Sequence, residues 1–264
     1  MTGQEKFSRL VEYIRQYDDV AVAFSGGTKS ALMVCAAAEA NDSRVWVLTA
    51  NTPFFTQEEL YRVHEVLDEY KVHNERVAMP ELLDMPEIIG GGERCKVCAA
   101  VVSRRLADTA EGVGARVLLD GKTADNAQDV CCLVTSMSAE VRAVSPLAEL
   151  RYTVQDAEKM LRAIGRGYYI KPTNACLARR FAREDVITAA KLDFIEAAEK
   201  YIRRFTRGDM AVCVDKSRVL VRSKAVFSNE IRSEVTDELM RNADGLNFTK
   251  IEFENAVRKV QNYI

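Results

Sequence analysis

The chain has no apolar run approaching about 18 residues, so no membrane-spanning helix is expected. It has only two histidines. His64 lies within a helical pattern and His73 near the next turn, with no partner at ligand spacing, so both read as ordinary helix or surface residues. Excess charge of one sign is missing too. With 37 Lys and Arg against 39 Asp and Glu, the formal net charge is −2, and nothing in that balance calls for nucleic acid or a membrane surface. A second CxxC is absent, which removes the four-cysteine zinc site, and neither GxxxxGK[ST] nor GxGxxG occurs, which removes the Walker A and dinucleotide-binding loops. No internal repeat or low-complexity tract is present. The start, MTGQEKFSRLVEYIRQY, reads as a charged amphipathic helix and not as a secretory leader, so a cytoplasmic location is expected. Seven cysteines are an odd number for a chain without secretory features, so thiols or metal ligands are expected in place of a disulfide framework.

What remains is an ordinary globular composition. The 264 residues are 48% hydrophobic and 29% charged, enough for one domain of about 180 residues and a smaller second one. The first half alternates helix 3–17, strand 20–24, helix 29–41, strand 45–50, helix 56–71, a short strand near 75–78, helix 96–112 and a buried strand in ARVLLDG. Parallel neighbours need crossover connections, so this alternation predicts an α/β fold, a doubly wound parallel sheet with helices on both faces. Beyond Asp120 the pattern loosens: GKTADNAQDVCC reads as loop and TVQDAEKMLRAIG as helix. After a turn at 171–174 the texture changes. Residues 184–206 are helical, MAVCVDKSRVLVRS gives two strands joined at Asp215 and Lys216, 227–243 are helical, and the remainder gives a strand and a last helix. The expected division is 1–182, a nucleotide- or anion-binding domain, and 183–264, a small α+β domain.

VAVAFSGGTKS, residues 20–30, is the first informative stretch. At the carboxyl end of a parallel strand, Ser25, Gly26 and Gly27 allow a tight turn and supply N–H donors, Ser30 adds a hydroxyl, and Lys29 adds a positive charge, which together suit an anion. A plain strand-to-helix linker would use the same small residues. Asp120, Gly121 and Asp125 fit a site at the carboxyl end of the central strands, where open α/β sheets place ligands; the two aspartates would equally cap the strand-to-loop turn.

ERCKVCAAVVSRRL carries Cys95 and Cys98 at the start of a helix, where the helix dipole, Arg94 and Lys96 favour thiolates. Four readings are open: a zinc site, a redox dithiol, a cluster completed by Cys176 of NACLARRF, or two half-buried thiols without a cofactor. Cys35 and Cys213 lie in apolar periodic segments and read as core. Cys131 and Cys132 are adjacent in a loop, with a fourth ligand or a sulfur relay as the functional options. Arg179 and Arg180 place positive charge where an anionic substrate could dock, or form a surface pair. The cations Arg9, Arg15, Arg62 and Lys71 show no clustering of the kind expected for RNA.

The order AVAFSGGxxS, RCxxC, LLDG, VSPLAEL, KPTNACLARRF and EAAEKYIRRF resembles the ATP-dependent sacrificial sulfur transferases that build the nickel-pincer cofactor of lactate racemase. These belong to the PP-loop ATP pyrophosphatases, with SGGxDS as their loop. The likeness spans roughly residues 18–206, and ACLARRF is its most specific part. It implies that Ser25, Gly26, Gly27, Lys29 and Ser30 hold ATP phosphates, with Mg2+, and that the backbone of Ala50, Asn51, Thr52 and Pro53 is a candidate to contact adenine. It further implies that Cys176 is either a sulfur donor that ends as dehydroalanine or, because RCxxC is also present, one of three ligands with Cys95 and Cys98 of a [4Fe-4S] cluster whose open iron carries a transferable sulfide, the cluster being the preferred reading. The implied activity is sulfur transfer from a sulfide source to a small acceptor activated by adenylation, in a ring-like homo-oligomer. The chain departs from the pattern twice: Lys29 replaces the usual loop Asp, and DGKTADNAQDVCC replaces DGTNADD without a following Arg-Pro-Gly. Lys29 would either pair with a phosphate or mark a site that has lost ATP cleavage. Two rival functions stand beside this one: a tRNA uridine thiolating or desulfurating enzyme, and a degenerate PP-loop protein that binds a nucleotide or cluster without catalysis.

Overall fold

The computed structural model describes residues 1–41, 44–70, 72–126, 140–171 and 176–255. Cys131, Cys132 and the expected last helix lie outside the described residues. The described chain forms two compact units. The first comprises Met1–Thr52, Gln57–Met79 and Cys95–Thr173; the second comprises Pro53–Thr56, Pro80–Arg94 and Asn174–Ile264. The expected boundary at 182 thus falls inside the second unit, which also takes two short stretches from the first half of the sequence. No helix among the described residues is long and apolar enough to cross a membrane.

In the first unit five strands, β1 (Val20–Ala23), β2 (Val45–Asn51), β3 (His73–Ala78), β4 (Val117–Leu119) and β5 (Arg142–Val144), form one sheet in the order β3-β2-β1-β4-β5. Every pairing is parallel. The order runs outward from β1 in both directions, which is the doubly wound α/β arrangement with its switch point between β1 and β4. The first three residues of β1 and the VLL of β4 are fully apolar and buried, as strands covered on both faces must be. Helix α1 (Gly3–Arg15) opens with a capping box, in which the Thr2 hydroxyl accepts the Glu5 N–H and the Glu5 carboxylate accepts the Thr2 N–H. Its Phe7, Leu10, Val11 and Ile14, spaced three or four apart, form one buried stripe. Helix α2 (Thr28–Asn41) is rich in alanine and buries a continuous run from Ser30 to Ala37, so it is enclosed around most of its circumference. It packs against α1 and against α7 (Val154–Ala163). Helix α3 (Gln57–Tyr70) links β2 to β3, and α5 (Arg94–Gly112), whose first residue belongs to the second unit, leads into β4.

The second unit is α+β. Strands β6 (Met210–Asp215) and β7 (Arg218–Ser223) form the expected hairpin around Lys216, and β8 (Lys250–Asn255) joins β7 in parallel. Helices α8 (Ala189–Ile202) and α9 (Asn229–Asn242) begin with Thr188 and Ser228 as side-chain caps. α8 starts five residues later than its composition suggests, because 183–184 form a turn and 185–188 stay irregular up to the Thr188 cap. Two short helices, α4 (Pro86–Ile89) in this unit and α6 (Pro146–Glu149) in the first, complete the described set.

Candidate functional site

The loop after β1 and the loop after β4 are neighbours, because β1 and β4 are adjacent strands registered Val20 with Val117 through Val22 with Leu119. Gly26 turns the chain at φ +71°, a conformation an L side chain adopts only with strain, and a Cβ there would sit 3.2 Å from the Glu59 carbonyl and 3.3 Å from Val63 Cγ2. Ser30 closes the loop on itself. Its Oγ accepts the Ser25 N–H at 3.3 Å, lies 3.2 Å from Ser25 Oγ and donates to the Gly27 carbonyl at 3.0 Å. The first turn of α2 carries no acidic residue, so Lys29 is its formal charge, added to the helix N-terminal dipole. Gly121 has the backbone of Lys29 and Ser30 against it. A Cβ at 121 would meet Lys29 C, Lys29 Cβ and Ser30 N, each at 3.2 Å. Ser25, Gly26, Gly27, Lys29, Ser30 and Gly121 are therefore gathered at the switch point, where open α/β sheets place ligands.

The two aspartates have local partners. Asp120 is 5% exposed, and burial pushes its carboxyl above the usual aspartate range, opposed by the N–H and the ammonium of Lys122. Its Oδ1 accepts that N–H at 2.9 Å, and Lys122 Nζ stands 3.4 Å from Oδ2. Asp125 accepts the Val154 N–H at the start of α7 at 3.2 and 3.3 Å, so it caps a helix. Ala50 is buried on β2, paired with Val77 of β3. Thr28 was not foreseen. Its hydroxyl accepts the Lys171 N–H at 3.1 Å and lies 3.4 Å from the Lys171 carbonyl, which ties the chain five residues before Cys176 to the start of α2. The signal was present, since a threonine at the start of a helix is a natural side-chain acceptor.

Cys95 and Cys98 are half-buried in the first turn of α5, three residues apart and so on one side of the helix. Cys176 is half-buried just before the 3-10 turn Leu177–Arg180, at its N-cap position. None of the described cysteines is in a disulfide. Three accessible thiols are the right donor chemistry for an iron–sulfur group. Among the described residues, however, no group of three or more His, Cys, Asp or Glu stands ready to hold a metal ion. Cys35 and Cys213 are core residues, as their patterns predict, and burial pushes both thiols up to about 11.

Arg94 does not serve the thiols as a surface cation. It is 3% exposed, with Nε donating to the Gly91 carbonyl at 3.2 Å and Nη2 to those of Ala182, Arg183 and Asp185 at 3.1, 2.7 and 3.2 Å. Within the second unit it therefore fastens the residue before Cys95 to the segment that follows Cys176. The Leu177 N–H donates to the Phe54 carbonyl at 3.0 Å, which fastens that segment to the stretch leaving β2. Arg180 needs correction on both expected roles. It is buried, and its Nε donates to Glu199 Oε1 at 2.8 Å while the same oxygen accepts the Val212 N–H at 3.0 Å. A guanidinium committed to an internal carboxylate is neither a surface pair nor a docking group. Arg179 is half-buried, and its N–H closes the turn on the Cys176 carbonyl at 2.9 Å.

No protein-family model matches the chain. A protein of uncharacterised function from Synechocystis sp. is 26% identical over 201 residues, 76% of this chain and 75% of that protein. Pyridinium-3,5-bisthiocarboxylic acid mononucleotide synthase of Lactiplantibacillus plantarum is 25% identical over 199 residues, 75% of this chain and 72% of the synthase. The chain is thus similar, across three quarters of its length, to an enzyme named for a product that carries two thiocarboxylic acid groups, which supports a sulfur-transferring enzyme in the broad sense.

Proposed function

We propose that the chain is a PP-loop sulfurtransferase that moves sulfide onto a small carboxylate activated by ATP. The observation that carries the reading is the similarity to the thiocarboxylate-forming synthase over 75% of the chain. The anion loop at the switch point agrees with it. In this reading the N–H groups at the start of α2, the Ser30 hydroxyl and Lys29 receive the β and γ phosphates, and Mg2+ arrives as the ATP complex. A carboxylate oxygen of the acceptor attacks the α phosphorus, and the bond to pyrophosphate breaks. A sulfide then attacks the acyl carbon of the adenylate, AMP leaves with the bonding pair, and a thiocarboxylate results. Backbone donors and the ammonium stabilise charge that grows on the leaving pyrophosphate.

Cys95, Cys98 and Cys176 would hold a [4Fe-4S] cluster, which supplies a renewable site for sulfide where a sacrificed cysteine would act once. Arg179, beside Cys176, is the remaining candidate for the charge of the acceptor. The test has two independent readouts. After anaerobic incubation with iron and sulfide, the wild-type chain should retain iron with visible charge-transfer absorption, and Cys95→Ala, Cys98→Ala and Cys176→Ala should each lose most of it. With ATP and a panel of small carboxylates, AMP and pyrophosphate should appear, and Lys29→Ala should reduce their rate. Equal iron in wild type and all three variants refutes the cluster, and release of ADP in place of AMP refutes adenylation.

A further inference from the structure

The end of α8 carries a feature to which the sulfur transfer proposed above assigns no role. Residues 200–207 read KYIRRFTR, four cations among eight residues in a chain whose net charge is −2. Lys200, Arg204 and Arg207 are exposed and Arg203 is half-buried. None of the four is in an ion pair among the described residues. Their neighbours in the same unit behave otherwise: Arg222 pairs with Glu254 at 2.7 Å, Lys224 with Asp209 at 2.6 Å and Arg241 with Glu238 at 2.8 Å. Glu234 and Glu238, whose charges reach Tyr201, are already engaged, Glu234 with the Tyr201 hydroxyl at 2.9 Å and Glu238 with Arg241. The helix dipole accounts for a cation at the C-cap, Arg203, but its reach ends within a turn and Arg207 lies five residues beyond Ile202.

Two aromatic rings are interleaved with the cations. The Arg204 guanidinium lies over the Tyr201 ring at 5.0 Å and the Phe205 ring at 5.9 Å, and the rings meet edge to face at 5.7 Å. Unpaired cations beside aromatic faces are the combination that single-stranded nucleic acid uses, with phosphates on the cations and bases on the rings. A membrane surface would call for large apolar side chains exposed beside the charge, and none of the exposed large hydrophobics falls within 200–207.

We infer that this patch is a docking surface for single-stranded RNA, independent of the chemistry proposed for the thiols. The test uses the full chain and a fluorescein-labelled RNA of mixed sequence, about 12 nucleotides long, titrated by anisotropy at several KCl concentrations. Three or four phosphate contacts give a log–log slope of affinity against salt of about −2 to −3. Arg204→Gln with Arg207→Gln should weaken binding at least about ten-fold and flatten the slope by about 1.4. Phe205→Leu, which keeps an apolar side chain and removes the π face, should weaken binding by about ten-fold with the slope unchanged. Arg15→Gln with Arg104→Gln, which removes the same charge elsewhere, should bind as wild type. Should the arginine pair perturb the thermal melt, Lys200→Gln with Arg207→Gln carries the same expectation. The inference is overturned by salt-independent or absent RNA binding, by equal binding of wild type and the patch variants, or by phosphatidylserine vesicles captured through these arginines while RNA is not.

Discussion

Replacing Arg180 with methionine is expected to destabilise the second unit by about 3 kcal/mol, the lower end of the range for breaking a buried ion pair by removing one partner. The magnitude follows from what is left behind. Glu199 is 8% exposed, and its Oε1 receives both the Arg180 Nε at 2.8 Å and the Val212 N–H at 3.0 Å. Without the guanidinium, a buried carboxylate keeps one backbone donor and loses its counter-charge. With a urea slope of about 2 kcal/mol/M, the unfolding midpoint should fall by about 1.5 M. Glu199→Gln leaves the buried guanidinium without a counter-charge but keeps an amide oxygen that can still accept both bonds, so its cost should not exceed that of Arg180→Met. The double variant Arg180→Met, Glu199→Gln has no buried charge and still satisfies Val212, so it should be more stable than Arg180→Met alone. Urea unfolding followed by circular dichroism measures all three. A cost below about 1 kcal/mol for Arg180→Met, which is the range of exposed pairs, or strict additivity in the double variant, would refute the assignment of Arg180 to the interior and restore it as a candidate for substrate.

Gly26→Ala should destabilise the first unit by about 1 to 2 kcal/mol, since residue 26 sits at φ +71° with the Glu59 carbonyl against it; thermal melts read this, and an unchanged melting temperature would mean the turn relaxes freely. Gly121→Ala should weaken nucleotide binding more than it lowers stability, because the added methyl presses on Lys29 and Ser30; calorimetric titration with ATP checks it. Thr28→Val should lower stability by about 1 to 2 kcal/mol through the lost Lys171 bonds, with hydrogen exchange rising at the Lys171 amide. Asp156 caps α7 and pairs with Lys6, and the Lys6 ammonium, with the Thr153 bonds, holds its carboxyl below the usual value of 3.8. Its contribution is therefore fully present above that value and is lost as pH falls through the lower folded value. Asp156→Asn should cost about 1 kcal/mol at neutral pH, with the difference from wild type vanishing in acid; a deficit that persists in acid would point to packing instead.

Much of the first unit was legible because covered parallel strands are short apolar runs with turn residues behind them. VAVA, VWVLTA and VLL announce themselves, and their positions force the crossover helices. β5 was missed because Arg142–Val144 is three residues long, is partly exposed and follows a stretch without periodicity. The tight turn from Ser25 to Ser30 could be read because glycine and serine betray its backbone geometry. The roles of Arg94, Arg180 and Glu199 could not, since a buried guanidinium and a surface one look alike until the partner, 88 residues away for Arg94 to Ala182 and 19 away for Arg180 to Glu199, is brought to it by the fold. The aspartates show the reverse case. Asp125 lies in a loop rich in polar residues, yet its acceptor role is spent on the amide of Val154.

The second unit is assembled from three separated stretches, 53–56, 80–94 and 174–264. A gene fragment beginning after residue 173 would therefore encode an incomplete body, lacking the guanidinium of Arg94 and the carbonyl of Phe54 that pin its opening segment. On the ribosome those two early pieces emerge long before the strands and helices they belong with. They must wait for the last third of the chain, so the smaller body is the one that finishes folding last.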